Sequence, residues 1–295
     1  MKKLFCLIIS IILTLGFIAC KNSGIASETE SSSQSEAGEQ PGYSVIRTDV
    51  KNGDKNIYGN LYMPSVKKDK YSLVIMSHSA FLTGSSLKAY AAGFAERGYM
   101  AYAFDFCGGS PFSKSDGDSG AMTIFTEVAD LEAVIDYFRL RPETDIDEIY
   151  LLGTSQGGMV SALTAEAESD KIAGMILMYP AFNIPEQVGE NSGVGGAILG
   201  KEYVETIKDF DVYSNIGKFE KPVLIIHGTK DTTVDLLYSV RAAEKYADCT
   251  LKTIENAPHG FNGDNFSLFG NYDSFVWQYI DEFLNLYKTA GNKTV

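Results

Sequence analysis

Three residue types in this chain could together activate a hydroxyl: a serine set among glycines, an acid in a glycine-containing loop, and a histidine beyond it. A serine hydroxyl is a weak nucleophile near neutral pH unless a histidine, oriented by a carboxylate, takes its proton. Ser155 is the candidate nucleophile. It lies in Gly153-Thr154-Ser155-Gln156-Gly157-Gly158, where small residues two places to either side let the chain turn sharply with the serine in a strained conformation. Apolar Ile149-Tyr150-Leu151-Leu152 precedes it and a helix-like run begins near Met159. The pattern predicts a strand, a turn and a helix whose first, unpaired N–H groups point at whatever binds there.

Such an elbow requires an acid and then a histidine downstream. Among the three histidines, His78 and His227 each end an apolar run and read as residues that pack and hydrogen-bond the loops around a site. His259, in Ala257-Pro258-His259-Gly260-Phe261, follows the last strand-like run and is the candidate base. Asp231, in His227-Gly228-Thr229-Lys230-Asp231-Thr232-Thr233-Val234, is the candidate acid. Its rival Asp235 starts the next helix, where a carboxylate also complements the helix dipole. Asp105, in Phe104-Asp105-Phe106, belongs to another loop and reads as a structural carboxylate bonded to backbone N–H groups. Acyl transfer further needs donors aimed at the developing oxyanion. The N–H of Gln156 is one, and the N–H of Ala80, or of Ser79, is the other.

These residues need a scaffold that brings strand ends together. Residues 43–50 and 56–63, around Lys51-Asn52-Gly53-Asp54, read as an antiparallel hairpin. Leu73-Val74-Ile75-Met76 and residues 100–106 are buried strands, with a helix-like stretch over 87–97 between them. Residues 122–140 carry Ile124, Val128, Leu131, Val134, Ile135 and Phe138 at helical spacing. Further strands follow at 172–178, 222–226 and 251–254. Alternation of this kind implies an α/β class domain with a mostly parallel sheet covered by helices on both faces. Residues 182–221 break the alternation, and a stretch of that length between two strands reads as a small cap.

The N-terminus is of another kind. Lys2 and Lys3, an apolar run from Leu4 to Ile18, and Phe17-Ile18-Ala19-Cys20 read as a secretion signal over 1–20. Its end resembles the lipobox of bacterial lipoproteins, with Phe17 where leucine is usual, so Cys20 is the candidate lipid attachment site and an ordinary cleaved signal is the alternative. Residues 21–42, rich in Ser, Glu, Gln and Gly, read as a disordered tether, leaving a domain over 43–290. The expected location is extracytoplasmic, anchored to the cell membrane or otherwise secreted. A net charge of -13 argues against nucleic acid or an anionic membrane surface as partner, so any membrane contact is expected through the lipid alone. Histidines at separate strand ends offer no metal cluster of the usual spacing, and no cofactor is expected. Cys107 and Cys249, at opposite ends of a parallel sheet, are expected not to pair.

With Ser77-His78-Ser79-Ala80, Phe104-Asp105-Phe106-Cys107-Gly108-Gly109-Ser110, the serine elbow, Val223-Leu224-Ile225-Ile226-His227-Gly228 and Pro258-His259-Gly260-Phe261 in this order, the chain resembles the α/β-hydrolases. Within them it is similar to cinnamoyl and feruloyl esterase-like enzymes. The resemblance implies an eight-stranded sheet with the cap inserted between strands 6 and 7. It also implies Ser155 as nucleophile, Asp231 as acid, His259 as base, and Ala80 with Gln156 as oxyanion donors. The family usually has His-Gly-Phe where this chain has His78-Ser79-Ala80, a departure that bears on acyl preference. The expected activity is hydrolysis of small esters, short-chain or hydroxycinnamoyl-type, with Tyr203, Phe210 and Tyr213 as candidate pocket walls. A peptidase of the same fold, gripping a substrate amine through Glu186, Glu190, Glu202 or Glu205, is the alternative, and a non-catalytic ligand-binding lipoprotein is a third reading.

Overall fold

A computed structural model describes residues 42–190, 199–261 and 272–291. The signal, Cys20 and all of the tether except Gly42 lie outside the described residues. The strands are β1 (Tyr43–Arg47), β2 (Val50–Asn52), β3 (Lys55–Ile57), β4 (Gly59–Pro64), β5 (Tyr71–Ser77), β6 (Met100–Phe104), β7 (Thr144–Thr154), β8 (Gly174–Met178), β9 (Val223–Gly228) and β10 (Cys249–Ile254). Eight of them form one sheet in the order β1-β4-β6-β5-β7-β8-β9-β10. Only β4 runs antiparallel to its neighbours, pairing with β1 and β6; the other pairs are parallel.

The expected opening hairpin is divided. Its outer part, β1 with β4, joins the main sheet, whereas β2 and β3 form a separate two-stranded ribbon closed by Gly53 at φ 57°. A left-handed residue at that turn suits glycine, which has no Cβ to collide with the following carbonyl.

The helices are α1 (Lys88–Glu96), α2 (Ile124–Arg139), α3 (Gln156–Ala167), α4 (Ile184–Glu190), α5 (Lys201–Ile207), α6 (Leu236–Ala243) and α7 (Asp273–Gly291). Central strands are apolar on both faces because both are covered. Leu73 and Ile75 enter one core with residues of α2, α3 and α5, while Val74 and Met76 enter a second with residues of α1 and α7. Helix α2 starts at Thr123, whose side chain accepts from the Thr126 N–H while the Thr126 hydroxyl accepts from the Thr123 N–H. That reciprocal cap satisfies two of the donors a helix start leaves unpaired. The segment between β8 and β9, the sixth and seventh strands of the main sheet, holds α4, α5 and a 3₁₀ turn at Val212–Asn215. Among the described residues no helix is long and apolar enough to cross a membrane. Cys107 and Cys249 are both free thiols.

Candidate active site

The carboxyl end of β7 delivers Ser155 into the turn before α3, with φ 51° and ψ −117°. A non-glycine residue held there costs on the order of 1–3 kcal/mol and persists only where its surroundings impose it. Here they do. The Ser155 N–H donates to Met178 O at 3.0 Å, and its carbonyl accepts from the N–H groups of Gly158 and Ala181 at 3.0 and 2.9 Å. The two elbow glycines are sterically required: a Cβ on Gly153 would stand 2.3 Å from Gly157 O, and one on Gly157 would stand 2.3 Å from Ser77 O. Among the described residues, every non-glycine residue at positive φ (Phe81, Ser155, Tyr179, Asn256 and Phe261) lies in a segment that leaves the carboxyl end of a parallel strand.

Folding brings the three sequence-distant residues into hydrogen-bonding line. His259 Nε2 lies 3.0 Å from Ser155 Oγ, and His259 Nδ1 lies 2.6 Å from Asp231 Oδ2. The carboxylate can only accept, so the Nδ1–H donates to it and Nε2 is left to accept from the serine hydroxyl. The Asp231 side chain is fully buried and that of His259 is 22% exposed. Asp231 Oδ1 accepts from the N–H groups of Thr233 and Val234, each at 2.9 Å. Burial alone would raise this carboxyl. Hydrogen bonds from His227 and His259, the charge on His259 and the Val234 N–H outweigh it and hold the group well below the usual carboxylate range.

The remaining candidates fall into supporting places. His227 is buried, with Nδ1 at 2.7 Å from Ser239 Oγ and Nε2 at 3.0 Å from Val234 O and 3.2 Å from Asp231 Oδ2. Both neighbours of Nε2 are acceptors, so its N–H is shared between them and pins the acid. His78 is buried too, donating from Nδ1 to Ser79 O at 2.8 Å and accepting at Nε2 from the Phe106 N–H at 3.2 Å. Burial lowers its pKa, which suits a neutral strut between two loops. Asp235 caps α6, accepting from the Leu237 N–H at 2.8 Å. Asp105 accepts from the N–H groups of Gly84 and Lys114, both at 2.8 Å, the structural use expected of it.

Gln156 begins α3, so its N–H has no partner within the helix. Ala80 follows His78-Ser79 in a turn closed by the Leu82 N–H donating to Ser79 O at 3.1 Å. The Ser79 hydroxyl lies 3.0 Å from that of Thr154, lacing this loop to the end of β7. Ser79 therefore gives this loop an anchor that glycine could not. A cleft of about 50 Å³ lies beside the same loop, lined by Phe81, Gly108, Gly109, Ser110, Pro111, Ser119, Met122 and Leu199.

The three cap aromatics do not line that cleft. Tyr203 is buried, its hydroxyl donating to Gln156 Oε1 at 2.8 Å. Phe210 packs edge-on to Phe125, and Tyr213 packs against Phe182 while donating to Tyr238 O. Of the acidic residues considered for gripping an amine, three lie on the surface: Glu186 faces Tyr238 and Arg241, Glu205 pairs with Lys208, and Glu202 is exposed; the side chain of Glu190 lies outside what the structure describes. Sequence reasoning missed Tyr179, whose ring stands edge-on to the His259 imidazole at 4.7 Å from a backbone at φ 40°, and Glu127, which the Gln156 side chain contacts.

An eight-stranded, mostly parallel sheet with a strained serine between a strand and a helix, and a histidine and acid delivered from later strand ends, defines the α/β-hydrolases. The chain is a hydrolase of this fold, esterase-like in its structural likeness. A family model described as serine aminopeptidase, S33 matches residues 69–209. The structure of Est1E from Butyrivibrio proteoclasticus with ferulic acid bound aligns with a TM-score of 0.72 at 25% identity, covering 82% of this chain and 99% of that one. The α/β-hydrolase GrgF from Penicillium sp. sh18 aligns with a TM-score of 0.66 at 15% identity, over 83% and 98% of the two chains. The esterase Pf2001 from Pyrococcus furiosus aligns with a TM-score of 0.60 at 19% identity, over 82% and 93%; these last two likenesses speak for the fold alone.

Proposed function

We propose that the chain is a serine carboxylic-ester hydrolase acting through an acyl-enzyme on short-chain or hydroxycinnamoyl-type esters. The observation that carries this reading is the continuous line from Ser155 Oγ through His259 to Asp231. His259 Nε2 takes the Ser155 proton as Oγ attacks the ester carbonyl. The imidazolium so formed is stabilised by the buried Asp231 carboxylate, and the tetrahedral oxyanion by the N–H groups of Gln156 and Ala80. Collapse passes the proton to the leaving alcohol. Water, deprotonated by the same histidine, then releases the acid and restores Ser155. The likeness to Est1E, a protein solved with ferulic acid, favours a hydroxycinnamoyl or similarly sized acyl group. An extracytoplasmic place, anchored through Cys20, is part of the proposal and rests on the N-terminal sequence pattern.

The serine aminopeptidase description of the matching family model favours a second reading, the same machinery applied to an amide. Both are tested by following release of p-nitrophenol from acetyl, butyryl and octanoyl esters, turnover of methyl ferulate, and cleavage of an aminoacyl anilide, with wild type and Ser155→Ala. Ester turnover that disappears in the mutant is expected. Cleavage of the anilide but of no ester would transfer the assignment to a peptidase. A folded protein inert to every substrate would overturn both.

A further inference from the structure

One buried carboxyl next to the nucleophile has no part in the steps above. Glu127 lies in the first turn of α2, 1% exposed. Its Oε2 accepts from Gln156 Nε2 at 2.8 Å, and Gln156 Oε1 in turn accepts from the Tyr203 hydroxyl at 2.8 Å. The Gln156 amide is thus held at both ends. The residue so clamped is the one whose backbone N–H serves the oxyanion.

The other carboxyl oxygen, Oε1, is buried without a hydrogen-bond partner. A Cβ on Gly109 would stand 3.1 Å from it. Among the described residues, no lysine, arginine or histidine makes a hydrogen bond or ion pair with Glu127. Its ionisable neighbours are Asp130 from α2 itself and the Tyr203 phenol from α5. The N–H and thiol of Cys107, from the loop after β6, and Asn52, from β2, serve Asp130, with Lys55 of β3 in that carboxylate's field. A buried carboxyl facing a like charge and no cation favours its neutral form. Burial, reinforced by Asp130 and opposed by the Gln156 hydrogen bond, pushes Glu127 up to about 8.

We propose that Glu127 is a positioning residue of the oxyanion hole that works as a neutral acid, and that its ionisation slows acylation by setting an uncompensated charge behind Gln156. This rests on the serine-nucleophile reading above. The transition state gathers negative charge at the Gln156 and Ala80 N–H groups, and a second negative charge in the same dry region opposes it.

The experiment measures, from pH 6 to 10, the rate at which a p-nitrophenyl phosphonate ester blocks Ser155, together with kcat and KM for a p-nitrophenyl ester. In wild type both the phosphonylation rate and kcat should fall about five- to tenfold between pH 7.5 and 9.5, with KM steady. Glu127→Gln keeps an acceptor for Gln156 Nε2 but cannot ionise, so its ratio of rates at pH 9.5 and 7.5 should stay near one. Asp130→Asn removes the like charge and should move the wild-type fall to lower pH, a test that stands even if Glu127→Gln does not fold. A flat wild-type profile, the same fall in Glu127→Gln, or a midpoint unmoved in Asp130→Asn would overturn the proposal while leaving the serine nucleophile intact. No phosphonylation at any pH would remove the serine reading and this one with it.

Discussion

Replacing Gly157 by alanine drives a wedge between the two elements that carry the proposed oxyanion donors. The new Cβ would stand 2.3 Å from Ser77 O and 2.5 Å from His78 O, at the end of β5, while Gly157 itself sits in the first turn of α3. An aliphatic carbon and a carbonyl oxygen approach no closer than about 3.3 Å even in favourable contacts. About 1 Å of separation must therefore be found, and backbone atoms on both sides must supply it. Gln156 moves with α3 and Ala80 with the loop leaving β5, so the shift opens the gap between their N–H groups. Misplacement on this scale costs about 10²-fold in rate, close to the loss of one oxyanion donor, about 3 kcal/mol. The expected outcome for Gly157→Ala is a kcat lower by about 10²-fold, with KM for a p-nitrophenyl ester nearly unchanged. Overpacking should also cost about 1–3 kcal/mol of stability, so kinetics are to be run well below the melting temperature of both proteins. Gly158→Ala is the control. Its Cβ would meet Pro180 Cβ at 2.9 Å, away from β5, and the activity loss should be much smaller. A folded Gly157→Ala enzyme within about threefold of the wild-type kcat would refute the reasoning.

Two further outcomes concern the acid. His227→Phe removes the N–H shared by Asp231 and Val234 O and leaves the buried Ser239 hydroxyl unserved; each buried polar group left unpaired costs about 1–3 kcal/mol, and the loss of melting temperature should come with a lower kcat. Because the folded state depresses the Asp231 pKa, the stability this group contributes is present above its unfolded value near 3.9 and is lost as the pH falls through the folded value. The melting temperature should drop in that acid range, and drop less steeply in Asp231→Asn, whose kcat should be lower by about 10⁴ because the amide no longer holds the imidazole in the working tautomer. Equal acid slopes for the two proteins would count against this account of the depressed carboxyl.

Much of this protein was decided locally and was legible in its sequence. The glycines around Ser155 announce the elbow because backbone sterics act between residues a few positions apart. The continuous apolar runs of β5, β6 and β8 announce buried parallel strands because both of their faces must be covered. The order serine, acid, histidine follows from the order of the strands, so Asp231 and His259 could be singled out before any distance was known.

What tertiary structure alone decided are the relations between segments distant in the chain. Nothing local splits the first hairpin; β4 parts from the β2–β3 ribbon and joins the main sheet because β6, much later in the chain, offers it an antiparallel partner from Gly59 opposite Phe104 to Tyr62 opposite Ala101. The cap aromatics illustrate the same limit. Tyr203 carries no sequence mark of facing a ligand or a core, and only packing sets its hydroxyl on Gln156. Tyr179 comes against the imidazole because the loop leaving β10 carries His259 back past β9 to the end of β8. Glu127 left a faint trace, a carboxylate midway between Ile124 and Leu131 on the apolar stripe of α2, but helical spacing can say only that it points inward. That its partner there is an amide rather than a cation is set by the helix that α2 packs against.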